Sequence, residues 1–157
     1  MIEIYNNLYI GEDIDCEACT SDSGFSIVHA CQSCHQRLVK IKGPLPYIYE
    51  DGSHLYLNLV DSPFELPADL TNPMFKNAIN FIYRELQNKK VLVHCNFGYS
   101  RSPSIGMIYL AATGTIPNND FDVTVNEFVK LYPKYGPGTG ITLYLLRNWD
   151  FLTKELI

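Results

Sequence analysis

Val91-Leu-Val-His-Cys-Asn-Phe-Gly-Tyr-Ser-Arg-Ser-Pro-Ser104 is the stretch from which the fold is read. Val91 to Val93 is a short, apolar, largely β-branched run, as expected of a strand buried on both faces. Pro103 suits the first turn of a helix, where a missing N–H costs nothing. Ile105 to Ala112 continues as an apolar helical segment. Strand, tight loop and helix therefore follow one another, with Cys95 and Arg101 in the loop and five residues between them. A loop that ends on a helix N-terminus turns backbone N–H groups inward and adds the positive end of the dipole. Arg101 adds a planar fork that can hold two phosphate oxygens. A cysteine at the mouth of such a cradle sits in a field that favours thiolate over thiol. The stretch thus offers a nucleophile and an anion socket at one point.

Going outward along the chain, Asn7 to Ile10 predicts a short strand stopped by Gly11. Asp13 to Cys19 is ambiguous between coil and a short helix, and Phe25 to Ala30 reads as the second strand. Gln36 to Gly52, with Gly43-Pro44, Pro46 and Asp51-Gly52, is the least regular part. Leu55 to Val60 alternates with Leu55, Leu57 and Leu59 on one face, as a half-buried strand does. Pro63 stops it, which leaves Asp61 to Glu65 as a loop. Asn72 is expected to cap a helix that starts at Pro73 and buries Phe75, Ile79, Ile82 and Leu86. Asp122 is expected to cap a helix to Leu131 with Phe121, Val125, Phe128, Val129 and Tyr132 as its buried stripe. After Gly136-Pro-Gly138, the residues Ile141, Leu145, Trp149 and Leu152 mark one final helix. Strands early, helices between and after them, predict an α/β fold with a central, mostly parallel, twisted sheet flanked by helices on both faces. Ligands of such sheets bind at the carboxyl ends of the strands, where Cys95 falls.

His94-Cys95-x5-Arg101-Ser102 resembles the signature loop of the cysteine-dependent protein tyrosine phosphatases. The fuller string His94-Cys95-x-x-Gly98-x-Ser100-Arg101-Ser102 is similar to that of their dual-specificity subgroup. The resemblance implies a protein tyrosine phosphatase-like fold and hydrolysis through a phosphocysteine on Cys95. Backbone N–H groups from Asn96, Phe97, Gly98, Tyr99, Ser100 and Arg101 would hold the phosphate, and Ser102 would hydrogen-bond the departing thiolate. His94 would fix the loop and support ionisation of Cys95; the ordinary alternative is a satisfied core histidine, and the two readings can hold together. The chemistry also needs a proton for the leaving oxygen, and a general acid contributes about 10²–10⁴-fold. Asp61 opens a loop after a strand end, and the family's acid maps onto it. Its ordinary alternative is a turn starter before Ser-Pro. Glu65 and Asp51 are weaker candidates, and the Asp-Gly turn already explains Asp51. No metal or other cofactor enters this chemistry. Asn96, Phe97 and Tyr99 bring no lysine to the loop, whereas phosphoinositide phosphatases of the superfamily add positive charge there. The chain is shorter than tyrosine-specific domains, so a shallower pocket admitting phosphoserine and phosphothreonine beside phosphotyrosine is implied.

At 157 residues the chain suits a single domain, residues 1–157, with a substantial core. A net charge of −5 argues against nucleic acid or an anionic membrane as a partner. No apolar run reaches membrane-helix length and no basic, apolar leader opens the sequence, so a soluble cytoplasmic protein is the expectation. Phosphorylated protein is the expected partner, and nothing bears on oligomeric state. Among five cysteines, Cys16-x2-Cys19 and Cys31-x2-Cys34 form close pairs beside His35. Three readings stand together: ordinary thiols in a reducing compartment, which is preferred, a zinc site, or a redox role. By resemblance, Cys31, at the end of a strand beside the signature loop, would be the thiol that captures oxidised Cys95. Two rivals to a phosphatase remain. A rhodanese-like sulfur transferase also uses a cysteine in an anion-binding loop, and a non-catalytic phospho-residue binding module would keep the cradle without turnover.

Overall fold

Alternation along the central strand sets the layers of the molecule. The computed structural model describes all of residues 1–157. In chain order the elements are β1 (Ile2–Tyr5), β2 (Leu8–Gly11), α1 (Asp13–Thr20), β3 (Phe25–His29), α2 (Gln32–Leu38), β4 (Ile48–Asp51), β5 (His54–Leu57), α3 (Ala68–Glu85), β6 (Lys90–His94), α4 (Arg101–Ala112), α5 (Phe121–Leu131), α6 (Thr139–Arg147) and α7 (Trp149–Lys154). The strands form one sheet in the order β1-β2-β6-β3-β5-β4. The inner four run parallel, and β1 and β4 pair antiparallel at the edges. Val91 and Val93 of β6 join Val28, Leu55 and Leu57 in the larger core beneath α3 and α4. Leu92 and Ile27 point the other way and pack with Phe25 and Cys19 under α1. Both faces are therefore covered, as the apolar run of β6 requires. Each such fully buried aliphatic side chain contributes about 1.5–3 kcal/mol.

Several boundaries differ from the sequence expectation. Strand β1 is unexpected because only Ile4 of it is buried. The Asn6-Asn7 pair, both at positive φ, makes the two-residue hairpin turn into β2. The stretch read as irregular holds the last residues of α2 and all of β4, and the Asp51-Gly52 turn joins β4 to β5. Helix α3 begins at Ala68, not at Pro73, which sits inside it. The carbonyl that loses its partner to Pro73 belongs to the exposed residue Asp69, where water can take its place. Asn72 is no cap; its Oδ1 accepts from the Tyr144 hydroxyl at 2.8 Å. For α5 the cap is Asp120, whose Oδ1 accepts from Val123 N at 3.0 Å, and not Asp122. Phe128 and Tyr132 are buried as expected, while Val129 is exposed and Thr124 takes an inward position. The final helix breaks at Asn148 into α6 and α7, yet Ile141, Leu145, Trp149 and Leu152 are all buried.

Candidate active site

The parallel register of β6 between β2 and β3 delivers Cys95 to the carboxyl edge of the sheet. Cys95 N donates to Gly11 O at 3.4 Å, and Ala30 N donates to His94 O at 2.9 Å. The chain then leaves the sheet and circles back into α4 at Arg101. Gly98 makes that circle at φ +72°, and a Cβ there would stand 3.1 Å from Gly11 O. Neighbouring segments clamp the loop from outside. The Tyr132 hydroxyl donates to Gly98 O at 2.8 Å. Gly136 N donates to Tyr99 O at 2.9 Å, and Gly138 N donates to Ser100 Oγ at 3.0 Å. Burial, with the nearby charge of Cys95, pushes the Tyr132 phenol up to about 12, so it remains a donor.

Inside the loop, Cys95 is buried and Ser102 Oγ donates to its Sγ at 3.2 Å. Arg101 is buried as well. Its Nη1 donates to Leu59 O at 3.1 Å and its Nη2 to Asn96 Oδ1 at 2.7 Å. Its Nε is a buried donor without a partner, available to an anion's oxygen. Asp61 Oδ2 stands 3.9 Å from Arg101 Nη2, and the Asp61 side chain is about half exposed. Together Asp61, Cys95, Phe97, Tyr99, Ser100 and Arg101, with Gly136 and Gly138, line an open cavity of about 190 Å³. Tyr99 and Phe97 form its exposed rim, with Lys134 Nζ 5.2 Å from the centre of the Tyr99 ring. Glu65 and Asp51 are not among the residues that line this cavity. Glu65 pairs with Arg147 at 2.7 Å, and Asp51 lies in the β4–β5 ladder.

The Asp61 loop is stapled to a segment that carried no site assignment in the sequence. Gly140 N donates to Ser62 O at 3.2 Å and Leu66 N to Gly140 O at 3.4 Å. A Cβ at Gly140 would collide with the carbonyl oxygens of Ser62 and Phe64. The Gly136-Pro-Gly138 break was legible as a break, but the close approach behind it was not.

His94 lies at the end of β6, directly before Cys95. It is fully buried, and its Nδ1 faces Asp13 Oδ1 at 3.6 Å. Asp13 Oδ2 accepts from Asn96 Nδ2 at 3.0 Å, which links His94 to the loop. Burial opposes charge on His94, but the hydrogen bond with Cys34, the Cys31 and Cys34 thiols and Asp13 outweigh it and hold its pKa above the ordinary value. Burial and the His94 and His54 rings push His29 down to about 2. Cys31 is buried with Cys16, Cys34 and Cys95 in one cluster, and its hydrogen bond with Cys34, then burial, drives its pKa far up. All five cysteines are free and buried.

A family model described as the catalytic domain of dual specificity phosphatases matches residues 8–128. The chain belongs to the dual-specificity phosphatase family. Among solved structures, this phosphatase-family chain is similar to DUSP15 at 22% identity and a TM-score of 0.70, covering 99% of this chain and 91% of that one. Human DUSP28 gives 17% identity and a TM-score of 0.65, with 99% of each chain covered. A human tyrosine phosphatase-like serine/threonine/tyrosine-interacting protein gives 21% identity and a TM-score of 0.61, with 92% of each covered. At these identities the structural likeness concerns the fold, an α/β sandwich around a mostly parallel sheet. The family match contains Asp61, Cys95, Arg101 and Ser102 and stops short of Tyr132, Gly136, Gly138 and Gly140.

Proposed function

We propose that this member of the dual-specificity phosphatase family is an active cysteine-dependent protein phosphatase, its catalytic domain spanning residues 1–157. Its substrates are phosphotyrosine and phosphoserine or phosphothreonine in proteins. Supporting it above all is the convergence of a hydroxyl on the Cys95 sulfur at 3.2 Å with an Arg101 donor left unpartnered beside it. In the first step Cys95 sulfur attacks phosphorus in line, the phosphorus–oxygen ester bond breaks, and Asp61 gives its proton to the departing oxygen. In the second step Asp61, now a carboxylate, takes a proton from water as that water attacks the phosphocysteine. The sulfur leaves as thiolate and the Ser102 hydroxyl steadies it. Loop N–H groups from Asn96 to Arg101, with the Arg101 fork, stabilise the equatorial oxygens throughout.

The open cavity, with its aromatic rim and a single nearby lysine, suits a phosphorylated side chain on a protein better than a polyphosphorylated headgroup. Oxidation has an outlet in the same reading. Peroxide converts the Cys95 thiolate to a sulfenic acid, and Cys31, buried in the same cluster, displaces its oxygen as water to form the disulfide, slowly because its raised pKa keeps it a thiol. Peptide mapping after mild peroxide treatment should find that Cys31–Cys95 bond.

Hydrolysis of an aryl phosphate by the wild type, Cys95→Ser and Asp61→Asn tests the main reading. Cys95→Ser should release no phosphate yet still bind phosphopeptide. Asp61→Asn should be slow on poor leaving groups by about 10²-fold or more. Equal rates in all three would reject the assignment. Likeness to a protein named as an interacting protein favours one second reading, a phospho-residue binder, which predicts phosphopeptide binding by the wild type with no phosphate release.

A further inference from the structure

Behind the phosphate loop, four buried side chains from four elements converge. They are Cys16 of α1, His29 of β3, Cys34 of α2 and His94 of β6, and their donor atoms all lie within 4.8 Å of one another. We infer that Cys16 Sγ, His29 Nδ1, Cys34 Sγ and His94 Nε2 form a structural site for one zinc ion. The site adjoins the phosphate loop through His94, but its evidence does not depend on the phosphatase reading.

Donor type is the first argument. Two thiols and two imidazoles are the soft and borderline set that zinc takes in closed, four-coordinate sites. Spacing is the second. Zinc–sulfur bonds of about 2.3 Å and zinc–nitrogen bonds of about 2.0–2.1 Å at tetrahedral angles imply donor edges of about 3.3 Å (N–N), 3.6 Å (N–S) and 3.8 Å (S–S). His29 Nδ1 stands 2.9 Å from His94 Nε2, Cys16 Sγ 3.6 Å from His29 Nδ1 and Cys34 Sγ 3.9 Å from His94 Nε2. The other three edges lie within 4.8 Å, so shifts of about an ångström would close the tetrahedron.

Outer partners make the third argument. A zinc-bound histidine usually donates its other N–H to a carboxylate or another acceptor, which fixes its tautomer. His94 Nδ1 faces Asp13 Oδ1 at 3.6 Å, and both atoms are buried without a hydrogen-bond partner. His29 Nε2 stands 3.0 Å from His54 Nδ1. With Nε2 of His94 and Nδ1 of His29 on the metal, the remaining N–H groups point at Asp13 and His54.

The site departs from the Cys-x2-Cys spacing and from the expectation of a metal-free chain. One cysteine of each pair is left out. Cys19 packs with Phe25, Ile27 and Leu92, and Cys31 belongs to an overlapping group with Asp13, Cys34 and His94. The all-buried set is preferred because Asp13 is only partly buried and serves better as an outer partner. Such an ion would tie α1, β3 and α2 to the residue next to Cys95 and stiffen the floor of the loop. With four protein ligands it has no open position, so it adds no Lewis acid to the reaction.

Metal analysis of the intact purified chain should give one zinc per chain. Replacement by Co²⁺ should give the visible spectrum of a tetrahedral site with thiolate charge transfer. Cys95→Ser and Cys19→Ser should keep that spectrum. Cys16→Ser, Cys34→Ser and His29→Gln should weaken Co²⁺ binding by more than tenfold, and Asp13→Asn by about 10–100-fold. A folded wild type that takes up neither metal would overturn the site in favour of a hydrogen-bonded imidazole relay among free thiols. Loss of the spectrum in Cys95→Ser or Cys31→Ser, with Cys16→Ser and His29→Gln unaffected, would overturn the assigned ligands.

Discussion

Ser102 and Tyr132 each act on the loop through a single hydroxyl. Ser102 Oγ reaches the Cys95 sulfur, so in the proposed reaction its worth rises as that sulfur gains charge while leaving phosphorus. Ser102→Ala should slow the second step by about 10–150-fold, the equivalent of about 1.5–3 kcal/mol for a bond to a charged group. Pre-steady-state kinetics should then show a burst of aryl alcohol followed by slow turnover. Tyr132 holds the Gly98 carbonyl from the far side. Tyr132→Phe should cost about 1–3 kcal/mol of stability, because that buried carbonyl is left unsatisfied. Folding raises the Tyr132 pKa from 10.0 to about 12, so folding disfavours the phenolate. The stability it contributes is complete below pH 10 and is lost as pH rises from 10 toward about 12. Alkaline unfolding curves should be shallower for Tyr132→Phe in that window.

Among the elements, the Asp61 loop and the segment before α6 form one unit. Gly140 lets the carbonyls of Ser62 and Phe64 pass where a side chain would stand. Gly140→Ala should push the loop outward and lower kcat by about tenfold or more on substrates with poor leaving groups. Good leaving groups, which need little protonation, should be affected much less. The loss should therefore scale with leaving-group pKa, and circular dichroism should report an intact fold. Element starts were harder to read than element faces. Phe75, Ile79 and Ile82 in α3 and Phe128 in α5 are buried as their spacing requires. The α3 start at Ala68 and the cap at Asp120 depended on contacts with other segments. Buried Leu66 and Thr71 draw the first turn of α3 inward, which a reading of Pro73 as helix start does not anticipate.

Across the whole molecule, Glu85 anchors a polar tie between the sheet and α3. Ser26 Oγ in β3 donates to Glu85 Oε2 of α3 at 2.7 Å, and Arg84 Nε donates to Glu85 Oε1 at 2.9 Å. Burial raises the Glu85 carboxyl, but these bonds outweigh it and hold the pKa below its ordinary 4.5. A pKa lowered by folding adds stability above that ordinary value and loses it as pH falls through the folded one. Glu85→Gln should cost about 1 kcal/mol at neutral pH and flatten the acid limb of the stability profile in chemical denaturation. No helix is long and apolar enough to cross a membrane. The sequence by itself determined the strand–loop–helix around Cys95 and the five-residue spacing that puts its sulfur and the Arg101 fork in one loop. Each of those depends on neighbours within a few residues or on a spacing that local geometry enforces. Tertiary structure alone decided what surrounds them: Tyr132 on Gly98, Gly140 under the Asp61 loop, and the meeting of Cys16, His29, Cys34 and His94. Those contacts join residues tens of positions apart, and only the strand order and the packing of helices on both sheet faces bring them within bonding distance.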